Sequence, residues 1–397
     1  MRRASILLLT GLLASLIVAC GGGGAGSGSQ PGSQPQAAEP VLSNASGPGE
    51  HRRATSLGRV TITEFQAALA GNAGRAPPLQ PRYAVSSWRI EYRTTDADGV
   101  ELTASALIAL PDKALGAASP LLLYQHGTIF HDADAPSNHA TADEPALLMA
   151  SLGYVVLATD YVGYGTSKGV AHPYLLADPV AASVVDALTA SRYWLQTQGR
   201  RLNGQLFLTG YSEGGHVTLA AQRALQVAGK QAGLVATAAG AGPYDVMATL
   251  DWALDHLRDE EPLLAALINP GFLKHLGSGV RKEVRKQLLK QAIPDDADVV
   301  FRTDFIDLFL DDQRDAIVQR CNVADWLPRA PMALFHGRED RTVPFVNAQR
   351  AFDAMKARGA TPLSLTECQA SPADHLPCVR PYWEDLLQRF GALARDL

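Results

Sequence analysis

The segment Gly210-Tyr211-Ser212-Glu213-Gly214 sets a serine between two glycines in a G-x-S-x-G spacing. Alone that spacing is weak, because glycine and serine are common. Its context supplies the chemistry: residues 206–209 are a short apolar run that reads as a strand, and residues 216–225 read as a helix. A strand turning sharply into a helix forces strained torsions on the residue at the turn, and flanking glycines remove the Cβ atoms that would block it. The serine then sits at a helix N-terminus, where the dipole and free N–H groups favour developing negative charge. The alternative use of the same residues is an ordinary glycine-rich turn with Ser212 as an N-cap. As a nucleophile, Ser212 needs a base, since a serine hydroxyl is weakly nucleophilic at its own pKa. It also needs preorganised N–H donors for an oxyanion, each worth about 3 kcal/mol of barrier. The backbone N–H of Glu213 is one. The other is expected in the loop His126-Gly127-Thr128, which ends the apolar run 120–124.

Such a serine has to be presented by a rigid frame. Residues 86–92 and 102–110 are β-rich runs around the turn-forming Asp96-Ala97-Asp98-Gly99, which predicts an antiparallel hairpin. Runs at 120–124, 154–158, 206–209, 234–239 and 332–335 are short and apolar without alternation, as a parallel sheet covered on both faces requires. Helical patterns lie between most of them, which predicts a right-handed α/β sheet. No internal repeat is visible. The interval 243–327 breaks the alternation. Val246, Leu250, Leu254 and Leu257 share one helical face, 283–291 is basic and amphipathic, and 301–310 is apolar and acidic. An all-helical insertion there reads as a cap over the carboxyl edge of the sheet, or else as surface helices of the core domain.

On these pieces the chain resembles the α/β-hydrolase superfamily, over about residues 85–397. His336-Gly337-Arg338-Glu339-Asp340-Arg341-Thr342-Val343-Pro344 looks like that family's H-G-x-x-D-x-x-V-P segment, whose aspartate is the triad acid; here it is Asp340. Asp374-His375-Leu376 lies in a proline-bounded loop before the final helix, where the family places its histidine. The order Ser, Asp, His is the one expected of this fold. The resemblance implies that His375 takes the proton of Ser212 and passes it to the leaving alcohol, while Asp340 holds the other ring nitrogen protonated. Of the ten histidines, His216 lies on the helix after Ser212, and His126 and His336 end strands; none of these three follows the last strand. The single glycine before Thr128 resembles the GX subclass rather than the HGGG type. This implies the Thr128 N–H as second oxyanion donor, its hydroxyl as an extra one, and medium or long acyl chains.

Asp160-Tyr161-Val162-Gly163-Tyr164-Gly165-Thr166-Ser167 resembles the D-x-x-G-x-G-x-S loop of many hydrolases, read as a structural wall of the site. With Tyr124-Gln125-His126-Gly127 and the helical insertion, it is similar to secretory lipases and related exported esterases. The resemblance implies a serine carboxylester hydrolase (lipase or esterase) acting on hydrophobic esters, with no cofactor and no metal. A peptidase of the same fold is the alternative, because the triad does not distinguish ester from amide. Glu213 or a carboxylate of the insertion could then anchor a substrate amine. A ligand-binding surface protein without turnover is a further alternative. Dehalogenase and epoxide hydrolase chemistry need an aspartate where Ser212 stands. His131, Asp132, Asp134 and His139 have no metal-site spacing and read as a solvated loop.

The chain has 397 residues, 47% apolar and 19% charged, with net charge −5, ample for a buried core. The mild acidity argues against a nucleic-acid partner. Arg2 and Arg3 precede an apolar run from Ala4 to Ala19, which is short for a membrane span. It ends Leu16-Ile17-Val18-Ala19-Cys20, which resembles the bacterial lipobox, with an ordinary signal peptide or membrane anchor as the alternative. The lipobox implies cleavage before Cys20, a diacylglyceryl group on its sulfur, and export to the cell envelope with the membrane as partner. Residues 20–55 are expected to be a flexible tether, rich in Gly, Ser, Gln and Pro, and 56–397 the catalytic domain. Cys321, Cys368 and Cys378 then remain. Cys368 and Cys378 flank His375, so a Cys368–Cys378 bridge is favoured over pairings that use Cys321. The basic run Arg281, Lys282, Arg285, Lys286 and Lys290 reads as a solvated face, with contact to anionic lipid as the alternative.

Overall fold

The apolar runs form the middle of one nine-stranded sheet in a computed structural model of the chain, which describes residues 41–72, 78–260 and 278–397. The strands are β1 (His51–Val60), β2 (Val85–Thr95), β3 (Glu101–Pro111), β4 (Ala118–Gln125), β5 (Val155–Thr159), β6 (Arg201–Tyr211), β7 (Leu234–Gly240), β8 (Met332–His336) and β9 (Leu363–Glu367). Their spatial order is β1-β2-β3-β5-β4-β6-β7-β8-β9. The first four in this order pair antiparallel, and all pairings from β5 through β9 are parallel. The expected hairpin is β2–β3; Asp96 Oδ1 accepts from the N–H groups of Asp98 and Val100 and fixes its turn.

Ten helices are described: α1 (Ile62–Gly71), α2 (Pro145–Ser151), α3 (Ala177–Thr197), α4 (Glu213–Val227), α5 (Val246–Glu260), α6 (Ser278–Ala292), α7 (Asp304–Leu310), α8 (Arg314–Cys321), α9 (Val346–Ala357) and α10 (Val379–Leu393). They cover both faces of the sheet because successive strand residues point to opposite sides. Leu121, Leu123 and Leu208 pack with Val184 of α3, Leu219 of α4 and Met355 of α9. Leu122 and Phe207 pack on the other face with Leu147 of α2 and Leu386 and Phe390 of α10. The fold is the α/β-hydrolase fold.

Two strands lie outside the sequence expectation, and both are edges. β9 is half-buried throughout, and β1 exposes most of its residues, so neither contains an apolar run. β1 also corrects the expected tether of 20–55: the folded unit begins at Leu42. Asn44 holds the N–H and C=O of His51 through its side chain, and the Gly49 N–H donates to Arg93 O at 2.8 Å. Backbone pairing with β2, rather than burial of apolar side chains, orders this segment. Cys20 and the apolar run before it lie outside the described residues.

Between β7 and β8 the described residues form helices α5–α8, with one isolated parallel bridge from Phe301 to His172. Val246, Leu254, Val284, Phe305, Phe309 and Ile317 bury against one another and against Leu175 and Leu176. The Leu257 and Lys290 side chains lie outside the described residues. On α6, Arg281 pairs with Asp311, and Arg285 Nε sits 2.7 Å from Asp307 Oδ1. Those two charges of the basic run are satisfied within the insertion.

Candidate active site

β6 passes into α4 through Ser212, whose backbone adopts φ 60° and ψ −126°. A non-glycine residue pays about 1–3 kcal/mol for such torsions and holds them only where its surroundings impose them. Here the Ser212 N–H donates to Gly240 O at 2.9 Å. The motif glycines permit the turn by close approach: a Cβ on Gly210 would lie 2.3 Å from Gly214 O, and one on Gly214 would lie 2.1 Å from Gln125 O. No side chain fits at either position.

The structure brings Ser212, Asp340 and His375 together from three separate segments. His375 Nε2 is 2.9 Å from Ser212 Oγ, and His375 Nδ1 is 2.7 Å from Asp340 Oδ2. Asp340 Oδ1 accepts from the N–H groups of Thr342 (2.9 Å) and Val343 (2.8 Å). His336 Nε2 lies 3.2 Å from Asp340 Oδ2 and 2.8 Å from Val343 O, both acceptors, so that nitrogen carries a hydrogen. Burial alone would raise the Asp340 pKa, but the hydrogen bonds from His336 and His375 outweigh it and hold the carboxyl well below the usual range. An ionised Asp340 fixes the hydrogen of His375 on Nδ1, which leaves Nε2 as an acceptor facing the serine hydroxyl. Proton transfer from Ser212 to His375 needs no rearrangement.

The loop after β4 faces this serine. A Cβ on Gly127 would lie 3.7 Å from Ser212 Cβ, so Thr128 is one residue from close contact with the nucleophile's turn. Three tyrosines brace the loop. Tyr161 OH donates to His126 O at 3.0 Å, Tyr164 OH donates to Ile129 O at 2.8 Å, and Tyr174 OH is 3.2 Å from Thr128 Oγ1. The first two belong to the loop after β5, read from sequence as a structural wall. Its Asp160 is buried and accepts from Ser105 and Ser137, which ties β3 and the loop after β4 to it. In sequence, His336 stands only as the first residue of the acid segment and a strand-end rival to His375, with no contact to Asp340 assigned, and the tyrosines have no assigned role. A glycine-rich loop carrying two tyrosines is the local signal, and nothing in the spacing points to Tyr174.

Glu213 is the first residue of α4, so its backbone N–H is one of the helix donors without an intrahelical acceptor. Its side chain is only 1% exposed, with Oε1 2.7 Å from His172 Nε2. Burial would raise the Glu213 pKa, but the charge and hydrogen bond of His172 outweigh it and hold it below the ordinary value. One carboxylate oxygen is therefore occupied by His172, while Oε2 is buried without a hydrogen-bond partner among the described residues; a side chain so enclosed is not an open anchor for a substrate amine. The other strand-end and helix histidines are also engaged elsewhere. His216 Nε2 bonds Cys321 O, and burial pushes its pKa down to about 4; His126 stacks on Tyr161 with ring centroids 4.1 Å apart.

Cys368 and Cys378 form a disulfide that brackets His375. Cys321 is the free cysteine among the described residues, its thiol pushed up to about 12 by burial. His131 faces Asp296, His139 faces Asp143, and Asp132 accepts from Gly165 N, so these residues diverge. Among the described residues no three His, Cys, Asp or Glu side chains converge in a way that could hold a metal ion.

Residues 98–377 match the X-Pro dipeptidyl-peptidase family, S15. The chain belongs to that family. No curated protein matches it. Among solved structures, a ligand-bound rice cell wall degrading esterase LipA from Xanthomonas oryzae is 25% identical, with TM-score 0.68, and the match covers 88% of this chain and 99% of that one. A hydrolase from Legionella pneumophila is 23% identical with TM-score 0.67, over 86% of this chain and 98% of that one. Candida antarctica lipase A in its closed state shares the fold at 17% identity and TM-score 0.55, over 88% and 84%. This S15-family chain is thus a hydrolase of the α/β-hydrolase superfamily.

Proposed function

We propose that the protein is a serine carboxylester hydrolase, of lipase or esterase type, that cleaves hydrophobic esters outside the cell through an acyl-enzyme. The unbroken hydrogen-bond chain Ser212–His375–Asp340 beside a braced loop carries the serine hydrolase chemistry, and the likeness to the Xanthomonas oryzae esterase favours ester over amide. In the proposed reaction Ser212 Oγ attacks the ester carbonyl carbon while His375 Nε2 accepts the hydroxyl proton. The carbonyl electron pair moves to oxygen, where the N–H groups of Glu213 and Thr128 receive it. Collapse breaks the bond to the alkoxy oxygen, which leaves as alcohol with the proton from His375. Water then attacks the acyl-Ser212 ester by the same route and releases the acid. The imidazolium formed twice in the cycle is stabilised by Asp340. The exposed Leu376 beside His375 and the aromatic pair Phe130–Phe301 near the oxyanion loop favour apolar substrates.

The family description favours a second reading, an X-Pro dipeptidyl-peptidase. Against it stands Glu213, whose carboxylate pairs with His172 instead of facing open space for an amine. The disulfide supports export, since such bonds persist in oxidising compartments. We propose in addition that acylated Cys20 anchors the exported protein to the cell envelope.

The test compares p-nitrophenyl acetate, p-nitrophenyl decanoate and an alanyl-prolyl p-nitroanilide. The ester hydrolase reading expects the decanoate to be cleaved with higher kcat/KM than the acetate, and the anilide to be inert. Ser212→Ala should lower ester turnover at least about a thousandfold and abolish fluorophosphonate labelling. Preferential cleavage of the anilide would instead make the protein a peptidase.

A further inference from the structure

The segment between the loop after β5 and helix α3, His172-Pro173-Tyr174, contacts the side chains of both residues expected to supply the oxyanion donors. His172 is fully buried. Its Nδ1 is 2.9 Å from Val162 O and its Nε2 is 2.7 Å from Glu213 Oε1. Both ring nitrogens thus face acceptors, and the Glu213 carboxylate is held against the ring. Glu213 lies at the first position of α4, so the contact with His172 holds in place the residue whose backbone N–H is an expected donor. Two residues on, Tyr174 OH meets Thr128 Oγ1. One short segment therefore restrains Glu213 from behind and Thr128 from the side.

The same segment is held by the insertion. The His172 N–H donates to Val300 O, and the Arg302 N–H donates to His172 O, both at 2.7 Å. Phe301 between them packs edge-on against His172 (5.7 Å) and Tyr174 (5.6 Å), and Tyr174 also meets Phe305 of α7. An oxyanion hole is effective only when its donors are fixed where charge will develop, since reorganisation during reaction would cost what the hydrogen bonds gain. On the serine hydrolase reading above, we propose that His172, Tyr174 and the Glu213 side chain are positioning residues that fix the two oxyanion donors, and that the insertion sets their position through residues 300–302.

A positioning role predicts loss in kcat with KM little changed, because the donors act on the transition state. Glu213→Ala should lower kcat on p-nitrophenyl butyrate about tenfold or more, with KM within about twofold. Glu213→Gln is the rescue: its amide has nearly the size of the carboxylate and can still hydrogen-bond His172 Nε2, and it should stay within about threefold of wild type. Tyr174→Phe removes one oxygen and keeps the ring on Phe301 and Phe305, so it preserves folding and should lower kcat about fivefold. Phe301→Ala should lower kcat as well, and by clearly less in the Tyr174→Phe background than in wild type, since the two act through one contact. Thermal melting monitored alongside tells a folding loss from a positioning loss. The proposal is overturned if Tyr174→Phe keeps full kcat, if Glu213→Gln falls as far as Glu213→Ala, or if the Phe301 and Tyr174 effects simply add. Wild-type protein inert toward every ester would overturn the ester hydrolase reading itself, and this inference with it.

Discussion

Ser212 and Glu144 show two ways in which the surroundings set the state of a single residue. Ser212 keeps strained torsions because β6, Gly240 and the close approach of Gln125 leave no relaxed alternative. Glu144 caps α2 by accepting from the Ala146 N–H, yet it is buried, and that burial, with Asp160 and Asp143 adding to it, pushes its pKa up to about 8. At neutral pH it is therefore protonated when folded and ionised when unfolded. The folded state binds more protons than the unfolded one between the ordinary value of 4.5 and about 8. Stability from this group is thus complete below 4.5 and is lost as pH rises, by up to about 1.4 kcal/mol per pH unit. Glu144→Gln keeps the capping oxygen and removes the titration. Its melting temperature should match wild type near pH 4.5 and exceed it by about 2 °C or more at pH 8.5. A difference that does not change with pH would contradict a buried, neutral Glu144.

At the scale of elements, the His375 loop is held twice. The disulfide closes it, and hydrogen bonds stitch it to the acid loop and to the end of β6: Glu339 N donates to Ala373 O at 3.1 Å, Arg341 N to Asp374 Oδ1 at 2.9 Å, and Tyr211 OH to His375 O at 2.7 Å. A covalent closure spanning a separation of 10 residues contributes about 3 kcal/mol by restricting the unfolded chain. The Cys368→Ser/Cys378→Ser double variant should therefore melt about 4 °C lower while kcat falls only about two- to tenfold. Unchanged kcat would show that these hydrogen bonds alone place the imidazole. This division also explains what was legible before the structure. The inner strands are visible because both their faces bury apolar side chains, whereas β1 and β9 have no such pattern and take their order from pairing with one neighbour. Ser212, Asp340 and His375 carry motifs with fixed local spacing. His172, Tyr174 and His336 act through partners 41, 46 and 4 residues away along the chain, and only for His336 is the partner within the same motif.

For the whole molecule, the open matter is what holds it at a membrane surface, if Cys20 is acylated. Among the described residues no helix is long and apolar enough to cross a membrane. The basic face of α6 is neutralised in part, because Arg281 and Arg285 pair with Asp311 and Asp307, and the chain as a whole carries −5. That pairing weakens electrostatic attraction to anionic lipid. On the proposal that Cys20 is acylated, its acyl chains supply the attachment, where each buried methylene contributes about 0.8 kcal/mol and two or more chains make the anchoring stable. The full chain expressed in a bacterial host should incorporate radiolabelled palmitate and enter the detergent phase on cloud-point separation. Cys20→Ser should lose the label and move to the aqueous phase, while its kcat/KM on a soluble p-nitrophenyl ester stays within about twofold, since the site is built from residues beyond 120. Retention of the Cys20→Ser protein in the detergent phase would mean that an uncleaved apolar segment, not a lipid, is the anchor.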